Sequence, residues 1–374
     1  MTLRQSRHGK RMTDLRAELA AVFVCSATIL LAAQHTKGRH YLDGRPVATL
    51  RYDAVDQGIV LRPGGCPNNC DKYGARDVWV FQHEGRFYMH YDAAGADGWL
   101  TALAVSHDLE HWKKRGTVLA LGPPGSQDSA SASYGTTFFD GDQWYMFYLG
   151  TPHATAFPDR IPSFPYLTLE ARSSWPTGPW TKLLSVTPFK PKPGTYYSAT
   201  ASPGQIIRSG GHYLQFFSAS TDKPILRTLS IARSSNLTGH WAVDASPIFP
   251  PTEQVENSSL YFEKANSTWF LFTNHVGIDN DGEYTDAIWV YWTKDLNHWD
   301  LSKKAIVLDG TNSKWSRRCI GLPSVLPYKN RLAIFYDAPG GNSISHMGRS
   351  VGLAWLKLPL SPPEAQIPNR SPTR

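Results

Sequence analysis

One phrase recurs five times along this chain, and it constrains the fold more than any other feature. Each copy is an apolar, aromatic-rich strand, a turn carrying Gly or Asn, and a second aromatic strand. The first copy runs Asp77-Val78-Trp79-Val80-Phe81, turns at His83-Glu84-Gly85-Arg86, and returns through Phe87-Tyr88-Met89-His90-Tyr91. The second opens at Tyr134, the third at Ser202-Pro203, the fourth at Asn257 and the fifth at Leu322-Pro323. Aromatic and β-branched residues suit a pleated, buried surface, and Gly supplies the positive φ of a tight turn. Each phrase leads to a third strand, and in the first four a tryptophan follows. These markers, Trp112, Trp180, Trp241 and Trp299, recur at nearly even intervals. Such an interval, with four strands in each unit, predicts an all-β chain. The architecture expected is a five-bladed β-propeller of four-stranded antiparallel blades around a central axis. A strand at residues 47–52 is expected to close the ring with the last blade, because closure removes exposed sheet edges.

After residue 35 no long stretch keeps a helical period. The net charge is +7, and part of that excess belongs to positions 1–33, where Arg4, Arg7, Lys10, Arg11 and Arg16 face Asp14 and Glu18. No basic run with interleaved aromatics follows, which argues against nucleic acid as a partner. Residues 1–16 are basic, residues 19–33 are apolar or small, and Ala32-Ala33 ends the run. That is the grammar of a signal peptide, and the run is short for a membrane-spanning helix. Residues 1–35 therefore read as a signal peptide or an N-terminal membrane anchor. Either reading exports the rest, making the protein secreted, periplasmic or extracellular, or held at the membrane by its N-terminus. Residues 36–358 form the propeller domain, and residues 359–374 a Pro-rich tail expected to be disordered. Export permits disulfides. Cys66 and Cys70 are close enough in sequence to bridge, and Cys319 is a rival partner for either.

Residues with chemistry stand at the strand openings. Arg76-Asp77 opens the first inner strand, and Asp-Leu-x-His-Trp follows a third strand at both 108–112 and 295–299. Together with the five units, this pattern resembles the five-bladed propeller glycosidases, the superfamily of glycoside hydrolase families 43, 32, 68, 117 and 130. The resemblance covers residues 60–358 and does not single out one family. It implies an axial pocket lined by the starts of the innermost strands, with acids drawn from different blades. Asp77 takes the place of the first-blade aspartate, a general base in inverting members and a nucleophile in retaining ones. Glycosidic cleavage needs one carboxylate below the sugar and one acid at the leaving oxygen.

The family-43 pattern has a second-blade aspartate where this chain has Tyr134, and a third-blade acid where it has Ser202. Glu256, at the mouth of the fourth inner strand, is the expected general acid, in a family-117-like arrangement. Glu170 and Asp128 are the alternatives. Asp286 opens a neighbouring strand and is expected to hold a sugar hydroxyl or tune the acid. Arg76, Trp99, Tyr134, Asn274, His275 and His346 are the expected substrate-binding residues. The spacing Asp279-x-Asp281-x-Glu283 admits a structural calcium ion but lacks the Gly and distal Glu of an EF-hand loop. No metal is expected in the catalytic site. His111 and His298 recur before Trp and read as structural.

The expectation is a secreted glycoside hydrolase acting on a poly- or oligosaccharide by a two-carboxylate acid/base mechanism, with inversion favoured by analogy. Two rivals stay open. The absent second- and third-blade acids suit a non-catalytic carbohydrate-binding propeller. Arg317-Arg318 and His346-x-x-Arg349 would serve a glycoside phosphorylase.

Overall fold

A computed structural model describes Tyr41 and residues 47–363. The basic and apolar N-terminal run, read as a signal peptide or anchor, lies outside the described residues. Among those described, no helix is long and apolar enough to cross a membrane.

The described chain forms 22 strands and two three-residue 3-10 turns. The first repeat is an antiparallel meander of Gly74–His83, Arg86–Gly95, Gly98–Ser106 and Lys113–Thr117. The second is Ser131–Phe139, Trp144–Thr151, Leu167–Ser173 and Thr181–Lys182. A two-residue parallel contact, Trp99 to Ser131 and Leu100 to Ala132, merges these two into one eight-stranded sheet. In the third repeat the first strand is broken into Thr200–Ser202 and Ile206–Ser209, both paired with His212–Ser220. Arg227–Ser234 and Ala242–Val243 complete it. The break falls at Gly204, where a Cβ would lie 1.7 Å from the Phe216 carbonyl oxygen. The fourth repeat holds Val255–Glu263, Thr268–Asp279, Gly282–Thr293 and Lys304–Asp309. The fifth holds Ser324–Tyr328, Arg331–Ala338 and Ser350–Lys357.

The fifth repeat gains its outer strand from the start of the described chain. Val55–Leu61 pairs antiparallel with Ser350–Lys357. This corrects the expectation that residues 47–52 would fill that place. Only Leu50–Arg51 of that stretch is a strand, and it pairs in parallel with Lys304–Asp309 of the fourth repeat. Polar anchors decide the matter. Arg51 is held by Asp309 at 3.0 Å, whereas Asp56 accepts the Tyr336 hydroxyl at 2.7 Å within the fifth repeat.

Five apolar clusters lie between successive repeats. Met146, Tyr148 and Leu169 of the second repeat pack on Leu100 of the first. Phe217 and Trp241 of the third pack on Phe147 of the second. Phe216 and Ile231 meet Leu271 and Trp289 across the third and fourth. Phe270 and Val290 meet Ile334 and Tyr336 across the fourth and fifth. Phe335 and Leu353 of the fifth then pack on Val80 and Met89 of the first. A sheet buried on both faces needs apolar residues at nearly every position, which explains the continuous aromatic runs.

The marker tryptophans precede the fourth strands instead of lying in them. Trp112, Trp241 and Trp299 each donate the indole N–H to a carbonyl three or four residues back, at Leu109, Leu237 and Leu296, over 2.8, 3.0 and 2.8 Å. Pro176 and Pro179 reshape this loop in the second repeat, and the Trp180 indole nitrogen has no protein partner among the described residues. His111 and His298 are exposed, as befits loop residues. Cys66 and Cys70 form a disulfide, and Cys319 is a buried free thiol. The Pro-rich tail, expected to be disordered from residue 359, begins ordered. Leu360 is buried and donates its N–H to Glu263 at 2.9 Å.

Candidate active site

The first strands of the first, second and fourth repeats carry the same irregularity. Register shifts lie between Arg76 and Trp79, between Ser133 and Gly135, and between Glu256 and Ser259. At each, one non-glycine residue takes a positive φ: Asp77 at 46°, Tyr134 at 46° and Asn257 at 60°. A bulge re-aims a side chain. A left-handed L-residue costs roughly 1–2 kcal/mol, so it persists only where its surroundings hold it. Each is held by the second strand of the preceding repeat. Asp77 N–H donates to Asp337 Oδ1 at 3.3 Å, and Asn257 N–H to Ser218 Oγ at 2.8 Å. Tyr134 N–H donates to Asp92 Oδ1. The residues just before the bulges, Arg76, Ser133 and Glu256, pair in register with Asp92, Leu149 and Asn274. Ser202 holds that place in the third repeat, opposite Ser218. The openings converge: Arg76-Asp77, Ser133-Tyr134, Ser202, Glu256-Asn257 and Leu322 all line one pocket.

Two carboxylates in this pocket are held by arginines. Arg76 forks onto Asp77, with Nε 2.8 Å from Oδ2 and Nη2 3.3 Å from Oδ1. Its Nη1 lies 2.7 Å from His346 Nδ1. A guanidinium only donates, so Nδ1 accepts and the imidazole proton sits on Nε2. Burial, together with Arg76, Arg349 and Arg227, pushes the His346 pKa down to about 3, which keeps the ring neutral. Arg227 Nη1 lies 2.7 Å from Glu256 Oε2, and its Nε meets Glu283. Burial raises the Glu256 pKa; Arg227 opposes this, while Glu283 and Asp77 add to it. Such a carboxyl is suited to hold a proton and release it on demand.

The remaining walls are aromatic and polar. Arg76 lies over the Trp99 ring at 5.0 Å. The Trp99 indole N–H donates to Asp159 O at 2.8 Å, tying down the segment whose Ile161 and Pro162 form one wall. The Tyr134 hydroxyl is buried without a protein partner among the described residues. Burial and nearby carboxylates push its pKa up, so it is an un-ionised donor.

Six of the expected residues therefore meet in the pocket: Arg76, Asp77, Trp99, Tyr134, Glu256 and His346. Three do not line it. Asn274 is buried and donates to the Ile320 and Gly321 carbonyls at 3.1 and 2.9 Å, tying the fourth repeat to the fifth. His275, the next residue along the strand, stacks on Trp289 at 3.9 Å and contacts Asp286 through Nδ1 at 2.9 Å. Asp286 also accepts the Tyr41 hydroxyl at 2.8 Å. Strand alternation sends this pair into the sheet interface.

The alternative acids are likewise elsewhere. Asp128 is buried against Lys182 and the Tyr148 hydroxyl. Glu170 is buried without a protein partner among the described residues, and burial pushes its pKa up to about 8. The calcium-like spacing is met by arginines: Arg318 pairs with Asp279 and Asp281, and Arg227 with Glu283. The basic residues weighed for phosphate are also engaged, Arg318 in those pairs and Arg349 with Asp337 at 2.8 Å. Arg227, Asp92 and Tyr166 line the pocket without having been singled out from sequence. A charged residue opening a third strand was the available signal for Arg227. Asp92 was visible only as the end of the return strand.

No family model and no curated protein matches this chain. Solved structures do match it. A protein described as a glycoside hydrolase superposes with a TM-score of 0.60 at 14% identity, covering 85% of this chain and 95% of that one. The catalytic domain of a Coprinopsis cinerea GH62 α-L-arabinofuranosidase gives 0.56 at 13% identity, covering 82% and 98%. A family 117 glycoside hydrolase of the marine bacterium Zobellia galactanivorans gives 0.55 at 13%, covering 81% and 90%. At such identities the likeness is one of fold, and the fold is that of the propeller-type glycoside hydrolases.

Proposed function

We propose that this protein is a glycoside hydrolase that cleaves a poly- or oligosaccharide in the axial pocket of a five-bladed propeller. The five inter-repeat clusters, the last joining fifth to first, support that blade count. The observation that carries the function is the pairing of two carboxyls of different character in one pocket. Asp77 is forked to Arg76, while Glu256 is lifted by burial toward the protonated form. Asp77 takes a proton from water as the water oxygen attacks the anomeric carbon. Glu256 gives its proton to the departing glycosidic oxygen as that C–O bond breaks. One proton is taken up and one released, and solvent exchange resets the pair. This is the inverting form of the mechanism; direct attack by Asp77 would be the retaining form. The Tyr134 hydroxyl and His346 Nε2–H donate to sugar hydroxyls. The N-terminal pattern and the Cys66–Cys70 bridge support a place outside the cytoplasm.

The test is hydrolysis of a glycan panel by the native protein and by Asp77→Asn and Glu256→Gln. The native protein should release sugar from at least one glycan, and each variant should lose about 10²–10⁴-fold, the range for a general acid or base. NMR of the first product should show the inverted anomer. Binding without turnover by the native protein would replace this reading with a carbohydrate-binding propeller. Turnover dependent on phosphate would replace it with a phosphorylase.

A further inference from the structure

We propose that Asp92 is a positioning residue for Asp77, sharing with it a proton that Asp92 carries; this rests on the glycosidase reading above. The case begins with a comparison inside the molecule. Asp92, Ser218 and Asp337 each sit on the second strand of a repeat, and each accepts the N–H of the bulged residue opening the next repeat. Ser218 does this with a single hydroxyl, so holding that N–H does not require a carboxyl. Asp337 uses a carboxylate, but Arg349 neutralises it at 2.8 Å.

Among the described residues, Asp92 has no such partner. It is 2% exposed, and Arg76, whose charge it feels, is forked onto Asp77. One Asp92 oxygen is taken by Tyr134 N–H, and Asp92 lines the same pocket as Asp77, whose charge bears on it. Two carboxyls can hydrogen-bond only with a proton between them. Burial and the Asp77 charge both push the Asp92 pKa well up, and Arg76 and the Tyr134 N–H only partly oppose this. The groups bearing on Asp92 are thus Asp77 and Arg76 in its own repeat and Tyr134 in the next. Its other strand neighbour, Thr101, does not titrate.

The Asp92 O–H fixes the orientation of Asp77 and leaves the free face of that carboxylate to water. It places a second carboxyl beside the first at a site where the second repeat offers only Tyr134. As pH rises and the proton leaves, two adjoining anions repel each other and Asp77 loses its orientation.

The direct test needs no substrate. NMR titration of the full chain carrying ¹³C-labelled aspartate carboxyls should show one aspartate titrating well above the others, and Asp92→Asn should abolish that signal. Its absence from the native protein would overturn the proposal even if the protein hydrolyses glycans; its presence stands even if the protein does not. Kinetics provide the second arm, with melting curves confirming the fold of each variant. Asp92→Asn keeps a donor toward Asp77, so it should lose less activity than Asp92→Ser while its alkaline limb moves up. Asp92→Ser can reproduce the Ser218 contact but lacks the second oxygen. It should lose about 10–100-fold, the worth of a hydrogen bond to a charged group. Equal losses in both variants with an unchanged pH profile would reduce Asp92 to a structural role and overturn the proposal.

Discussion

The guanidinium of Arg227 lies 2.7 Å from the carboxylate of Glu256, and the same side chain holds Glu283. Of the two arginines that lower the Glu256 pKa against burial, Arg227 acts more strongly. Arg227→Met should therefore raise that pKa further. A general acid is lost as pH climbs through its pKa, so the alkaline limb of kcat/KM should shift upward. The profile is best recorded in an Asp92→Asn background, where the second titrating carboxyl is gone. Stability should fall in the same variant, because Glu256 and Glu283, both partly buried, lose the cation they share. An alkaline limb that stays in place would separate Arg227 from the acid.

Tyr134→Phe removes a hydroxyl that has no protein partner among the described residues. Folding loses nothing with it, so the melting temperature should stay near the native value. If that hydroxyl binds substrate, kcat/KM should fall by about 3–10-fold, the worth of one neutral hydrogen bond. A large loss of stability with unchanged kinetics would assign Tyr134 to the core alone.

Glu170 should make stability depend on pH. Its folded pKa of about 8 lies above the ordinary value of 4.5, so the folded protein binds a proton that the unfolded chain releases. The favourable contribution is complete below about 4.5 and is lost as pH rises through about 8, at about 1.4 kcal/mol per pH unit within that window. Glu170→Gln removes this dependence. The drop in melting temperature between about pH 5 and about pH 8, the ends of that window, should be smaller in the variant than in the native protein. An equal drop in both would mean that Glu170 is ionised in the folded state.

The repeat was readable because burial on both sheet faces imposes long aromatic strands, and each copy repeats that demand. That Asp77 and Glu256 would share a pocket was readable for a related reason: both stand at strand openings, and those openings converge. The other half of the site was hidden by geometry that periodicity does not encode. The positive φ at Asp77, Tyr134 and Asn257 breaks the two-residue alternation, so facing cannot be counted along the strand. Asp92 reaches the pocket from a second strand and Arg227 from a third, where polar residues more often tie neighbouring repeats together. Asn274 shows the opposite outcome, a polar strand residue that joins two repeats and does not line the pocket. The closing strand was misplaced because Arg51 and Asp56 choose their repeats through Asp309 and Tyr336, which lie near the far end of the chain.

The assignment of acid to Glu256 and base to Asp77 is tested most directly by varying the leaving group. Kinetics of Glu256→Gln and Asp77→Asn should be compared on two glycosides of one sugar, one with an alkyl leaving group and one with a nitrophenyl group that departs without protonation. Glu256→Gln should be crippled on the alkyl glycoside, by about 10²–10⁴-fold, and close to native on the nitrophenyl glycoside. Asp77→Asn should be crippled on both. Equal losses for Glu256→Gln on the two substrates, or full activity for Asp77→Asn on either, would contradict the account.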